Sequence, residues 1–97
     1  MDKRREKIRF KSADGLSLEG ETLHPTGPIR GIVVLTHPHP LYGGTMENNV
    51  VASLWVTLPE AGFLTFRFNF RGVGASEGTF EEGRGETYDL SGAVQLL

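Results

Sequence analysis

The stretch Gly31-Ile32-Val33-Val34-Leu35-Thr36 contains no charged residue and no proline, and it is rich in β-branched side chains. A short run of this kind is typical of a parallel strand that is covered on both faces. Apolar residues follow at the spacing of one helical stripe, namely Val50, Val51, Leu54, Trp55 and Leu58. They predict a helix over about residues 46–60. The aromatic-rich stretch 63–70 predicts a second strand, so strand, helix and strand form a right-handed parallel crossover.

The ends of the predicted helix carry capping signals. Thr45 or Asn48 can cap its start, and Gly62 can supply the left-handed residue at its end. Pro59 lies in the last turn, so we expect it to end or bend the helix there, because proline lacks the amide that a helix interior requires.

Further elements flank the crossover. Upstream, apolar and polar residues alternate on both sides of the turn Ala13-Asp14-Gly15, which predicts a β-hairpin. Downstream, residues 86–97 predict a final helix. Its apolar side consists of Leu90, Ala93, Val94 and Leu97. The predicted order is β-β-β-α-β-α, and the fold class is α/β with a mostly parallel sheet.

Length and composition limit the classes of function that the chain can have. The 97 residues suit one domain, and 10 basic against 12 acidic side chains give a net charge of −2, which does not suggest a nucleic-acid-binding protein. The absence of cysteine excludes disulfide scaffolds, cysteine zinc sites and thiol catalysis. No apolar run approaches the roughly 18 residues of a membrane span, and no apolar segment follows the basic N-terminus. We therefore expect a cytoplasmic protein that uses no cofactor and binds no membrane.

The loop after the first parallel strand is the first candidate site. It runs from His37 to Gly44, beyond the carboxyl end of a strand, where open α/β sheets bind ligands. Its prolines stiffen the turn, its glycines allow close approach, and its outward amides predict an oxyanion hole. The candidate donors are the amides of His39, Leu41, Tyr42, Gly43 and Gly44. A plain strand-to-helix turn is the alternative interpretation.

Two further motifs, for a metal ion and for a dinucleotide, are less specific signals than the loop after the first parallel strand. His37 and His39 could converge on a metal ion, but a proline follows each of them and further ligands would have to come from carboxylates such as Glu47. Gly72-Val73-Gly74 with Gly78 loosely resembles a dinucleotide fingerprint, yet no helix follows promptly. We therefore expect neither a metal nor a dinucleotide.

The stretch Gly74-Ala75-Ser76-Glu77-Gly78 matches the Gly-x-Ser-x-Gly nucleophile elbow of serine hydrolases. That elbow requires a strand directly before it and an apolar helix directly after it. Here Arg71-Gly72-Val73 intervenes, and the glycine-rich stretch 79–85 follows. Every histidine precedes Ser76, although this architecture places its histidine last. We therefore predict that Ser76 is not a nucleophile.

Together these motifs resemble the N-terminal part of an α/β-hydrolase. The resemblance is to a small bacterial group with a His-Pro-His-Pro loop, similar in architecture to dienelactone hydrolases and dipeptidyl-peptidase-like esterases. The matching stretches are residues 37–40, Gly43-Gly44-Thr45-Met46, Asn49, residues 67–78, Gly85-Glu86 and Asp89. The resemblance covers the chain from Lys7 to Leu97.

The resemblance implies a serine hydrolase of the carboxylesterase type, acting on a small ester-like substrate. It implies that residues 37–44 supply the oxyanion loop and that His37, Asn69 and Arg71 line the site. The family's nucleophile, acid and histidine lie downstream of Leu97, so we expect residues 1–97 to be a partial domain that is inactive alone. One alternative is a non-catalytic short protein or assembly module with the same half-fold. A remote alternative is a metal-dependent hydrolase that uses His37 and His39.

The resemblance also places the strand at 31–36 between the strand at 63–70 and a strand that would follow Leu97. Without that neighbour, the apolar strand is an open edge with no charge or proline to blunt it. The apolar side of the last helix, including Leu90, Val94 and Leu97, would also be exposed. We expect the chain to self-associate through this strand, to aggregate, or to need a C-terminal completing segment. Lysine at Val33 or Val34 should reduce association.

Overall fold

The computed structural model describes residues 4–37 and 44–96, which form a sheet with α-helices on both faces. The strands are β1 Arg5–Lys11, β2 Ser17–Leu23, β3 Gly31–Leu35 and β4 Phe63–Phe68. The helices are α1 Asn49–Thr57, a short 3₁₀ helix Leu58–Ala61, and α2 Glu86–Leu96. The predicted order of elements is confirmed. No helix within these described ranges has the length and apolar character needed to cross a membrane.

The strands pair in the order β1-β2-β4-β3. β1 and β2 form the predicted antiparallel hairpin, in which Phe10 lies opposite Leu18. β4 runs antiparallel to β2 and parallel to β3, where Val34 lies beside Phe66. The predicted parallel crossover is therefore confirmed, and β3 lies at the edge of the described sheet.

α1 is shorter than the predicted helix for local chemical reasons. It begins after Asn48, whose Oδ1 accepts the Val50 N–H at 2.9 Å, while the Asn48 amide closes a turn onto the Thr45 carbonyl at 3.0 Å. Near its other end, Pro59 has no N–H to continue the helical ladder, and the chain tightens into the 3₁₀ helix. Gly62, with φ of 95°, ends that helix as predicted.

The two faces of the sheet have separate apolar cores. The core under α1 consists of Leu23, Leu35, Val51 and Trp55. The core under α2 consists of Phe10, Leu18, Phe66, Phe68 and Ala93. Because successive strand residues point to opposite faces, the alternate residues of β4 send Phe66 and Phe68 towards α2 and Arg67 towards Trp55 of α1.

The buried stripe of α1 is narrower than its apolar pattern predicts. Val51 and Trp55 are buried, whereas Val50 is 67% exposed and Leu54 is 39% exposed. Leu58, just beyond the helix, is half-buried against the same core. Periodicity identified the correct side of the helix but overstated how much of it contacts the sheet.

α2 contacts the sheet through its two smallest residues. Gly92 and Ala93 are buried, whereas Leu90 and Val94 are 39% and 58% exposed. A Cβ built on Gly92 would lie 2.2 Å from the carbonyl oxygen of Lys11, so the backbones of α2 and β1 are in close contact. The prediction that Leu90 and Val94 are left exposed is confirmed, and Leu97 lies outside the described residues.

The substitution Gly92→Ala is predicted to destabilise the fold, because the added methyl group would overlap the Lys11 carbonyl and push α2 away from β1. Overpacking costs about 1–3 kcal/mol, and an overlap with backbone atoms lies at the upper end of that range. That cost exceeds the gain of about 0.5–1 kcal/mol in helix propensity. The measurement is the free energy of unfolding in urea. Gly27→Ala is the control, because open space surrounds Gly27, and equal stabilities of the two variants would contradict the prediction.

Candidate functional site

The candidate site lies where β3 and β4 end, at one edge of the sheet. Parallel strands bring their carboxyl ends together, so His37, two residues after β3, lies against Phe70, two residues after β4. The chain returns at Gly44, which is buried, and reaches Met46 beside Asn69. The other predicted oxyanion residues lie outside the described residues. They are His39, Leu41, Tyr42 and Gly43.

His37 joins the end of β3 to the residues after β4. Its side chain is buried, and its Nε2 accepts the backbone N–H of Phe70 at 3.0 Å. The two rings also meet edge to face, with 4.9 Å between their centroids. Because a backbone amide only donates, Nε2 must be unprotonated here, and the neutral ring carries its proton on Nδ1. The imidazole lone pair that a metal would need at Nε2 is therefore already used.

Asn69 holds the chain on the far side of the loop. Its Oδ1 accepts the Met46 N–H at 2.8 Å, and its Nδ2 donates to Glu19 at 2.8 Å. The side chain is buried, and both ends of its amide group are bonded. One asparagine therefore links three segments: β2, the residue after β4, and the residues that precede α1.

Arg67 makes a second connection to the same residue, Met46. Its Nη1 donates to the Met46 carbonyl at 3.1 Å, its Nη2 lies 3.4 Å from Glu21, and its guanidinium lies 4.3 Å from the centroid of the Trp55 ring. Burial by itself would raise the pKa of Glu21. The hydrogen bond from Arg5 and the charges of Arg67 and Arg5 outweigh burial and lower that pKa, so the carboxylate stays ionised.

Ser76 takes part in the turn after β4 as a structural residue. Its hydroxyl donates to the Asn69 carbonyl at 2.7 Å and accepts the Glu19 N–H at 3.0 Å. Gly74 has φ of 54°, and a Cβ there would lie 2.3 Å from the carboxylate of Glu19. The Gly-x-Ser spacing is therefore required for closing this turn over Asn69 and Glu19.

Arg71, predicted to line the site, is the buried centre of an ion cluster whose other members include the buried Asp89 and the more exposed Asp14 and Glu81. Its side chain is 2% exposed, and it bonds Asp89 of α2, Glu81 at 2.9 Å and Asp14 of the β1–β2 turn at 2.7 Å. Hydrogen bonding to Asp89 raises the pKa of Arg71. The hydrogen bond from Arg71, with another from Ser12, lowers the pKa of Asp14. The cluster anchors the loop before α2 to the rest of the fold.

A groove of about 370 Å³ borders the site beside Met46. Its lining combines three basic and three acidic side chains with smaller residues: Arg5, Lys7, Ile8, Arg9, Glu19, Gly20, Glu21, Met46 and Glu47. The groove was not predicted, because its residues come from three distant parts of the sequence. Within residues 4–37 and 44–96, no group of three or more histidine and carboxylate side chains is placed to hold a metal ion.

The bonding partners of the site residues were not predicted from the sequence. Arg67 and Asn69 alternate with phenylalanine in the predicted aromatic-rich strand 63–70. Buried polar side chains require bonding partners, so this alternation was a signal that carboxylates must lie nearby. Nothing local identified Glu19 and Glu21 as those carboxylates.

No family model matches the chain. An uncharacterized protein from Rickettsia prowazekii (strain Madrid E) is 41% identical over 90 residues, which make up 93% of this chain and 37% of that protein. The chain therefore spans well under half the length of this curated relative.

Solved structures share the fold. A putative α/β hydrolase of unknown function from Agrobacterium tumefaciens is 37% identical, with a TM-score of 0.84 over 94% of this chain and 41% of its own. An α/β serine hydrolase homologue from Coxiella burnetii is 40% identical, with a TM-score of 0.83 over 94% of this chain and 44% of its own. A serine hydrolase without a lid from Xanthomonas campestris is 30% identical, with a TM-score of 0.87 over 96% and 44%. The fold is thus that of the N-terminal part of α/β serine hydrolases.

Asn69→Ala is predicted to free the Met46 amide, because its buried acceptor is removed. Loss of both amide bonds should lower the free energy of unfolding by about 1–3 kcal/mol. Hydrogen exchange measured residue by residue should show the Met46 amide exchanging faster than in the parent chain.

The control for this substitution is Asn48→Ala, which removes the cap of α1 and costs about 0.5–2 kcal/mol without touching the Met46 amide. The Met46 amide should exchange at the parent rate in Asn48→Ala. If it also exchanged at the parent rate in Asn69→Ala, Asn69 would not be the residue that holds it.

Proposed function

We propose that this chain is the N-terminal part of a cytoplasmic serine hydrolase that cleaves a small ester, and that it contributes the oxyanion-hole loop. The proposal rests on the hydrogen bonds that fix the residues on both sides of residues 38–43. His37 is bonded to Phe70, and Met46 is bonded to Asn69 and Arg67, inside an α/β-hydrolase fold. Such bracing suits an oxyanion hole, whose donors stabilise charge best when they are fixed before the reaction.

The proposed reaction is acyl transfer to water through a serine ester. A serine oxygen attacks the ester carbonyl carbon while a histidine takes the hydroxyl proton, and the alcohol leaves with that proton. Water then attacks the acyl-serine in the same way and releases the acid. The amide of His39 is the preferred first donor to the negative carbonyl oxygen, with those of Leu41, Tyr42, Gly43 and Gly44 as alternatives. The reaction needs no cofactor.

The nucleophile, its acid and its histidine are proposed to come from outside residues 1–97. Ser76 is unsuited to the role, because its hydroxyl is buried and bonded to two backbone groups. The relatives from Coxiella burnetii and Xanthomonas campestris that carry the name serine hydrolase support a serine nucleophile. The choice of an ester as the substrate is likewise part of the proposal.

The 97-residue chain alone is predicted to hydrolyse p-nitrophenyl acetate no faster than buffer, since the serine and the histidine base that form the acyl-enzyme are proposed to lie outside residues 1–97. Ser76→Ala should leave that background unchanged. A burst of p-nitrophenol that disappears in Ser76→Ala would show that Ser76 is the nucleophile after all.

The catalytic proposal is tested by joining residues 1–97 to the part of the Rickettsia prowazekii relative that follows its aligned 90 residues. The fusion should hydrolyse the ester and react with a fluorophosphonate probe at a serine outside residues 1–97. A folded fusion that the probe does not label, or labels at Ser76, would overturn the proposal.

A further inference from the structure

The groove of about 370 Å³ beside Met46 takes no part in the proposed reaction. Small-molecule sites in proteins have volumes of about 300–1,000 Å³, so the groove is large enough to be one. One of its walls is β1, where Arg5, Lys7 and Arg9 lie on a single face of the sheet because strand side chains alternate. The chemistry of the groove therefore depends on which of these cations already have anionic partners.

The register of the hairpin offers two ion pairs that the structure does not make. Lys7 lies opposite Glu21. Two residues further along β1, Arg9 lies opposite Glu19. Opposite charges at directly facing positions normally attract each other. Among the residues that the structure describes, however, Lys7 forms no side-chain bond, and Arg9 donates to neutral oxygen atoms alone. Both cations therefore keep N–H donors without an anionic partner.

Glu21 is bonded to other cations instead. Its carboxylate accepts hydrogen bonds from Arg5 and Arg67. The hydrogen bond to Glu21, together with the charges of Glu21 and Glu47, raises the pKa of Arg5. Because Glu21 and Glu47 balance the two arginines, neither carboxylate is left to neutralise Lys7.

Glu19 is held by neutral groups. Its Oε2 accepts the side-chain N–H of Asn69 at 2.8 Å and the backbone N–H of Ala75 at 2.6 Å. These bonds fix the carboxylate in place without cancelling its charge. On this part of the groove wall, one negative charge thus lies near the two positive charges of Lys7 and Arg9. A ligand with a single negative charge would restore the balance.

We propose that the groove binds a small organic molecule with one carboxylate group, which lies between Lys7 and Arg9. Alternate residues of a strand are about 6.5–7 Å apart, so a carboxylate between two such side chains can accept N–H groups from both. Hydrogen bonds from lysine and arginine to a carboxylate are among the stronger ones in proteins, because both groups are charged. The rest of the molecule contacts Met46, an apolar residue of the lining.

Met46 connects the groove to the flank of residues 38–43. Its amide is held by Asn69 and its carbonyl by Arg67, so the groove wall is fixed at this point. A preformed wall lowers the ordering cost of binding. Binding of the carboxylate does not require ester hydrolysis and goes beyond the proposed function.

The test is a titration of the ¹⁵N-labelled 97-residue chain with butanoate at constant ionic strength, followed by nuclear magnetic resonance of the backbone amides. Butanamide is the uncharged probe of similar shape. The variant is Lys7→Gln, which removes a charge from the groove. The matched control is Lys11→Gln, which removes the same charge from an exposed lysine of β1 outside the groove. The spectra also verify that both variants keep the fold.

We expect butanoate, and not butanamide, to shift the amides of Lys7, Arg9 and Met46 until they reach saturation. The dissociation constant should rise about two- to fivefold in Lys7→Gln, the effect of one exposed ionic contact, and stay at the parent value in Lys11→Gln. Inorganic phosphate should bind more weakly, because its second charge meets the carboxylate of Glu19.

Four results would each overturn the proposal: no saturable shift with butanoate, an equal response to butanamide, equal dissociation constants for the two lysine variants, or tighter binding of phosphate than of butanoate.

Discussion

The amides of Met46 and Phe70 are backbone donors that the sheet does not pair, and the side chains of Asn69 and His37 accept them. A buried donor without an acceptor costs about 1–3 kcal/mol, so these side chains have little freedom. Because Asn69 and Phe70 are adjacent, both flanks of residues 38–43 are fixed to one point at the end of β4. Any function that depends on that loop depends first on these bonds.

Two buried ion pairs also hold the chain near the end of β4 in place. Arg67 with Glu21 and Arg71 with Asp89 lie on two sides of the strand end, each pair buried and bonded. Burying such a pair stabilises a fold weakly, but removing one partner costs about 3–5 kcal/mol because it leaves a lone buried charge. These pairs therefore act as constraints on loop position.

The order of elements and the parallel pairing were predictable, because they follow from apolar periodicity and from the right-handedness of crossovers. The extent of the contact between α2 and the sheet was not predictable. It depends on the close approach of Gly92 to the Lys11 backbone, which no local sequence pattern reveals. The meeting of the ends of β3 and β4 was predictable from the parallel pairing of the two strands. The role of Arg71 was harder to predict, because its carboxylate partners Asp14 and Asp89 come from elements far apart in sequence.

His37 fixes the end of β3 to the end of β4, because its Nε2 accepts a hydrogen bond from the backbone N–H of Phe70. Nuclear magnetic resonance of the ¹⁵N-labelled chain measures this directly, because a hydrogen bond from an N–H to a nitrogen transmits a scalar coupling. We expect a coupling between the Phe70 amide nitrogen and Nε2 of His37, with the ring proton on Nδ1. A proton on Nε2 at neutral pH, with no coupling to Phe70, would contradict it.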